Sequence, residues 1–364
     1  NQVLVVGDNS QGRQLLSLSL DKHANLLNSD QIENLSKEKR GTGISHLTWD
    51  GKQLYVSNGW SGIETLKPKR DGWEKQFLYA IPRMGASGMA SWGYSAILVS
   101  GELVKYDLTD PEKPSINARA KLSTPVKSMV GAGSFILCLT RNKLQLRKME
   151  EIDQSISEIE IKGTSVAFDK GEHKAYVIKP FGKLSRVHPI KVYSNSLDSQ
   201  SNFDLPGNFS RIKATNGNLL VFDLNKIALF KVAENVAKVG SRDFENFAIR
   251  DAWLKDDKII ATAIDQNSSG FLLIMDAKDE GLNIISNTPL PHDGTSLSAT
   301  KDKVISVGKS KKDGRDMVSL IDISNPVAPK EINTMPVIEA ASTVTLKDKV
   351  ALVAGRGLEI LLVE

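Results

Sequence analysis

A short apolar strand, a tight turn of Lys, Asp, Asn or Gly, and a second, more apolar strand recur from one end of this sequence to the other. They are seen at residues 47–56, 89–98, 166–177, 212–221, 252–260, 297–305 and 344–352. The apolar runs are short, rich in Val, Ile, Leu and aromatic residues, and bounded by turn residues. No stretch of ten or more residues shows the 3.6-residue period of an amphipathic helix, so the chain reads as all-β. A third strand follows the hairpins, as at 101–106, 142–147, 226–230, 271–275 and 358–362, and then a more polar fourth, as at 156–161.

A four-stranded unit that cannot bury both of its faces alone must stack on copies of itself, which is the logic of a propeller blade. First strands begin near residues 44, 87, 126, 163, 209, 248, 295 and 341, a step of about 42 residues, within the range of propeller repeats. No Pro/Gly/Ser-rich linker interrupts the array, so the expectation is a single β-propeller domain over residues 1–364. Both ends fall short of a full unit, with three strands in residues 2–32 and three in residues 341–364. Eight blades of four strands are favoured, with seven or nine as alternatives, and the ring is expected to be closed by both termini. An open stack of two smaller β domains is the competing arrangement.

Composition removes several classes of function. Of 364 residues, 40% are hydrophobic and 25% charged, which excludes disorder and collagen-like repetition. The net charge of +4 is mild and interspersed, so no nucleic-acid footprint is expected. No run of 18 apolar residues is present, so no membrane-spanning helix is expected. The single cysteine, Cys138, excludes an intramolecular disulfide and any cysteine cluster. It lies in the apolar run Phe135-Ile-Leu-Cys-Leu139 and reads as an inert core thiol. The chain opens on Asn1 rather than Met, which fits removal of a signal peptide or a trimmed chain.

Two third strands end alike, in Tyr106-Asp-Leu-Thr-Asp-Pro-Glu-Lys-Pro114 and Ile321-Asp-Ile-Ser-Asn-Pro-Val-Ala-Pro329. Asp110 or Asn325 can hydrogen-bond its own downstream backbone, and Pro111 or Pro326 fixes φ at the turn. The second proline opens the outer strand, where a missing donor is tolerated. A weaker copy at 273–279 lacks the prolines. This pattern resembles the LVIVD-repeat β-propellers, in which such a segment follows a Gly-Leu edge, matched here at 101–106 and at Gly357-Leu-Glu-Ile-Leu-Leu362. The strands near 142, 190 and 226 depart from it. The resemblance implies a secreted or surface-associated bacterial or archaeal propeller without assigned catalysis, and hence an extracellular, cell-surface or periplasmic address.

No catalytic or metal constellation can be read from spacing. The five histidines, His23, His46, His173, His188 and His292, show no His-x-x-x-His or Glu-x-x-His pairing. Neither a Gly-x-Ser-x-Gly elbow nor a phosphate-binding Gly-x-x-x-x-Gly-Lys-Ser/Thr loop occurs, and no cofactor is expected. Trp49, Trp92 and Trp253 hold equivalent positions at the ends of first strands and read as packing wedges. Trp60 differs. It sits in the polar loop Ser57-Asn-Gly-Trp-Ser-Gly62 between second and third strands, where an aromatic could hold a partner or a sugar.

Loops at the equivalent position, 265–270 and 308–316, would rise from the same face, joined near the axis by the first-strand entry Pro291-His-Asp-Gly294. The candidate binding residues are therefore Trp60, Asp265, His292, Asp293, Lys309, Lys311, Lys312 and Arg315, the last four suited to an acidic partner. The function expected is a non-catalytic interaction scaffold that binds a protein partner or a glycan through these loops. One alternative is a propeller hydrolase or lyase with its site at the axial channel. The other is a structural subunit of a larger surface assembly.

Overall fold

The structure, a computed structural model, describes residues 115–337 without interruption. Outside that span it describes residues 2–9, 12–20, 26–36, 46–49, 54–57, 63–69, 72–79, 88–92, 95–99, 102–109, 340–347, 350–355 and 358–362. The chain divides into two compact units, residues 1–83 and 84–364. The first holds an antiparallel three-stranded sheet over residues 2–36 and an antiparallel four-stranded sheet over residues 46–79.

The second unit holds seven antiparallel meanders, numbered here as blades one to seven: residues 88–121, 128–160, 165–206, 211–243, 247–290, 296–336 and 343–362. Blades one to six are four-stranded, except that two short segments, Leu197–Ser199 and Phe203–Pro206, share the outer position of blade three. Blade seven has three strands among the described residues.

Local sequence explains the hairpins. Asn216-Gly217 joins Arg211–Thr215 to Asn218–Asp223, and both turn residues have positive φ, 48° and 73°. That is the backbone a two-residue turn needs to match strand twist, and Asn-Gly adopts it at least cost. Second strands are mostly apolar along their middles because both of their faces are buried there. In Phe135–Leu139, Ile136 and Cys138 pack toward blade one, whereas Leu137 and Leu139 pack toward blade three. Cys138 is fully buried, and burial pushes its thiol up to about 12. The thiol is thus a core group, as read from the sequence.

Seven sheets produce seven apolar interfaces. Blades one and two meet through Ile97, Leu103 and Ile136; two and three through Leu137, Leu144 and Val177; three and four through Tyr176, Phe209 and Leu219. Blades four and five meet through Phe222 and Ile249, five and six through Leu272 and Leu297, six and seven through Val307 and Val353. The last cluster joins Leu352 and Ala354 of blade seven to Met89 and Ala96 of blade one. An open stack of seven would have one interface fewer, so the unit is a closed ring, a β-propeller of seven blades rather than the favoured eight.

The count differs for a physical reason. Spacing places residues 46–79 in the array, but the cyclic set of interfaces starts at residue 88 and is already complete without them. Nor does any sheet among the described residues combine strands from the two ends of the chain.

Polar bonds join neighbouring innermost strands. Ser128 Oγ accepts from Val166 N at 3.2 Å, Asp251 Oδ2 from Leu297 N at 3.1 Å, and Ser298 Oγ from Leu346 N at 3.1 Å. The repeated third-strand ending is also capped by its first acid. Asp107, Asp276 and Asp322 each accept from the amide two residues on, at 2.9, 2.9 and 2.8 Å. As expected, Asn325 Oδ1 also accepts from Val327 N, at 3.2 Å, while Asp110 lies outside the described residues.

Candidate interaction face

In a ring of meanders whose first strands line the axis, every turn between second and third strands lies on one face, together with every link from a fourth strand to the next first strand. Three such connections carry the candidate residues of blades five and six: 266–269, 291–295 and 310–315. The structure brings them together by backbone and side-chain bonds. Asp293 N donates to Lys309 O at 3.0 Å, and Asp293 Oδ1 accepts from Lys309 N at 2.8 Å and from Thr295 Oγ1 at 3.0 Å. Lys311 Nζ donates to Asn267 O at 2.7 Å, tying the blade-six loop to that of blade five. Asp265 Oδ1 holds the turn of its own loop by accepting from Asn267 N at 2.9 Å and Ser269 N at 2.8 Å.

The cations differ in availability. Lys309 pairs with buried Asp316 at 3.2 Å, and Arg315 lies 3.6 Å from Asp313. The Lys312 ammonium makes no ion pair or hydrogen bond among the described residues and is exposed. Lys309, Lys311 and Arg315 are exposed as well. Trp60 lies outside the described residues.

His292 departs from its expected setting. Only 1% of it is exposed. Its Nδ1 accepts from Gly294 N at 3.1 Å, so the neutral ring carries its proton on Nε2 and donates to buried Ser319 Oγ at 3.1 Å. Ser319 is in turn bonded to Thr334 Oγ1 at 2.7 Å. Asp293, 3.6 Å from the Arg250 guanidinium, is likewise occupied within the fold. These two residues shape the face from beneath.

Burial holds the His292 imidazole down at about 4, against an ordinary 6.5. The unfolded chain therefore takes up a proton first as pH falls, so the stability this residue contributes is complete above pH 6.5 and is lost progressively toward pH 4. The expected loss across that window is about 3 kcal/mol. Urea unfolding at a series of pH values should show this slope in the wild type and a flatter one in His292→Asn; equal slopes would refute it.

Sequence reading missed a second feature of this face. The second and third strands of blade three, Lys174–Phe181 and Leu184–Val192, meet in a two-residue turn, Gly182-Lys183, with Gly182 at φ 64°. The last cross-strand pair is Phe181 and Leu184, 48% and 38% exposed. On the adjacent blade, Leu224 occupies the corresponding turn and is 54% exposed. The sequence signal was apolar residues flanking or occupying a two-residue turn, where polar ones are usual.

No protein-family model matches the chain, and no curated protein matches it by sequence. Solved structures do match in shape. A chain of Kuenenia stuttgartiensis hydrazine synthase superposes with a TM-score of 0.62 at 10% identity, covering 79% of this chain and 97% of that one. A chain of the mitotic checkpoint complex gives 0.60 at 12% identity, covering 76% and 90%. The WD40 repeats of RRP9 give 0.58 at 10%, covering 75% and 88%. The shared feature is the fold. At these identities the neighbours speak to architecture, and activity must be argued from this chain's own residues.

Proposed function

We propose that this chain is a non-catalytic interaction scaffold that binds a protein partner through the face formed by second-to-third turns and fourth-to-first links. One observation carries the reading. Asp293 ties the link 291–295 to the second strand of blade six and the Lys311 side chain ties the blade-six loop to that of blade five, while Lys312 and Arg315 stay exposed at the tip. Loops held rigid by a scaffold and armed at their tips are the usual form of a recognition surface. Propellers of this shape also serve inside protein assemblies, as the mitotic checkpoint neighbour does by name. The resemblance of 101–114 and 321–329 to LVIVD repeats supports a secreted or cell-surface setting, which belongs to the same proposal.

The test is affinity capture from the native source followed by mass spectrometry, with the wild type beside Lys312→Glu/Arg315→Glu. The wild type should retain a partner that the variant loses. Equal capture by both proteins would refute this face as the binding surface.

A further inference from the structure

The loops on the two sides of the ring differ in charge. Over residues 115–337, leaving aside the link 200–202 between the two outer segments of blade three, ten connections lie on the candidate face and ten on the opposite one. Those on the candidate face carry seven Lys/Arg and three Asp/Glu, a net +4; those on the opposite face carry three Lys/Arg and ten Asp/Glu, a net −7. The net charge of the whole chain, +4, gives no sign of this polarity, because the two sets of loops are opposite in sign. A surface with such a surplus steers approaching carboxylates and repels cations.

The same face carries a preorganised apolar projection. The Arg186 guanidinium lies 4.2 Å from the centre of the Phe181 ring. Asp204 grips it with two bonds, Nε to Oδ1 at 2.8 Å and Nη2 to Oδ2 at 3.0 Å. Asp204 belongs to the extra outer segment Phe203–Pro206, which pairs with the third strand from Leu184 to Val187. Beneath the tip, fully buried Ser185 accepts from Phe209 N at 2.6 Å and donates to Gly207 O at 2.8 Å. An exposed aromatic whose position is fixed before binding loses little freedom on contact, and aromatic and arginine groups dominate interface energetics.

We propose that the braced tip of blade three and the basic loop of blade six form one docking face for an acidic protein segment that carries large apolar side chains. The inference rests on the scaffold reading and names the chemistry of its partner. A protein segment fits this face better than a nucleic acid does. Phe181 is the one exposed aromatic among the three tip side chains, Leu184 and Leu224 offer nothing for a base to stack on, and Glu245, Asp293 and Asp313 interrupt the cations that a phosphate backbone would need in series.

The probe is a display library of random dodecapeptides selected on the whole purified chain, followed by titration of the enriched peptides. Two variants alter the candidate face, Phe181→Ser/Leu184→Ser and Lys312→Glu/Arg315→Glu, and Glu150→Lys/Glu151→Lys alters the opposite one. Melting curves confirm folding, which these exposed positions should leave intact. Enriched peptides are expected to be net negative, to contain Phe, Leu or Trp, to bind more weakly as salt rises, and to lose about tenfold in affinity with either candidate-face variant.

Enrichment of neutral or basic peptides that the same variants weaken would overturn the partner chemistry while leaving the scaffold reading intact. Peptides weakened only by the Glu150→Lys/Glu151→Lys variant would overturn both. Absence of enrichment would overturn the docking face. So would a single-stranded oligonucleotide that binds more tightly than every selected peptide and is weakened by the same variants.

Discussion

Gly270→Ala is expected to destabilise the ring by about 3 kcal/mol, well beyond a methyl added at Gly314 on the same face. A β-carbon at this position would lie 1.7 Å from the carbonyl oxygen of His292 and 2.8 Å from its carbonyl carbon. Both obstacles are backbone, so no rotamer relieves them. Gly270 opens the third strand of blade five, and the link 291–295 lies directly against it. Gly308, in blade six, is hemmed in by the same link, with Asp293 Oδ1 at 2.3 Å and Gly294 N at 2.5 Å from a hypothetical β-carbon.

Gly314 supplies the control. It has a φ of +70° but nothing within 4 Å of a β-carbon, so Gly314→Ala meets only the left-handed strain of about 1 kcal/mol. Urea unfolding of the three proteins should rank wild type, Gly314→Ala and Gly270→Ala in that order. A Gly270→Ala midpoint equal to that of Gly314→Ala would show that the link can move aside.

The second large effect is expected at Asp169, a fully buried carboxylate in the first hairpin of blade three. Its Oδ1 accepts from Gly171 N at 2.9 Å and Glu172 N at 3.3 Å, and its Oδ2 accepts from Gly217 N of blade four at 2.7 Å. One side chain thus closes its own turn and fastens the neighbouring turn to it. Asp169→Ala leaves buried donors unsatisfied and should cost about 3 kcal/mol. Asp169→Asn is nearly isosteric yet should cost almost as much, because a donating amide group replaces one acceptor and faces an N–H. Denaturation curves for both variants, with hydrogen exchange at the Gly217 amide, provide the check. An asparagine variant close to wild type would mean that shape rather than acceptor count holds the two turns together.

What could be read from sequence follows from the range over which each signal acts. The hairpins were legible because Asn216-Gly217 and the two-face burial of Phe135–Leu139 are local facts. The shared face of loops 265–270 and 308–316 was legible because equivalent positions in a repeat must emerge on one side. Blade number was not, since ring size depends on how far each sheet turns relative to the next, a sum of packing details that no single strand encodes. The setting of His292 was also hidden. Nothing in Pro291-His-Asp-Gly294 distinguishes a surface histidine from one bonded to Ser319, which lies 27 residues away in sequence. The Phe181 and Leu184 pair went unnoticed because apolar strand ends look ordinary until Arg186 and Asp204 are seen to brace them.

The unequal loops have a consequence for motion before contact. Among the loops of residues 115–337, the surplus of ammonium and guanidinium groups on one side of the ring and of carboxylates on the other gives these loops an electric moment along the ring axis. Such a moment favours approach of an acidic partner with the candidate side of the ring leading. This guidance extends little beyond a Debye length, about 8 Å in physiological salt, and should fade as ionic strength rises.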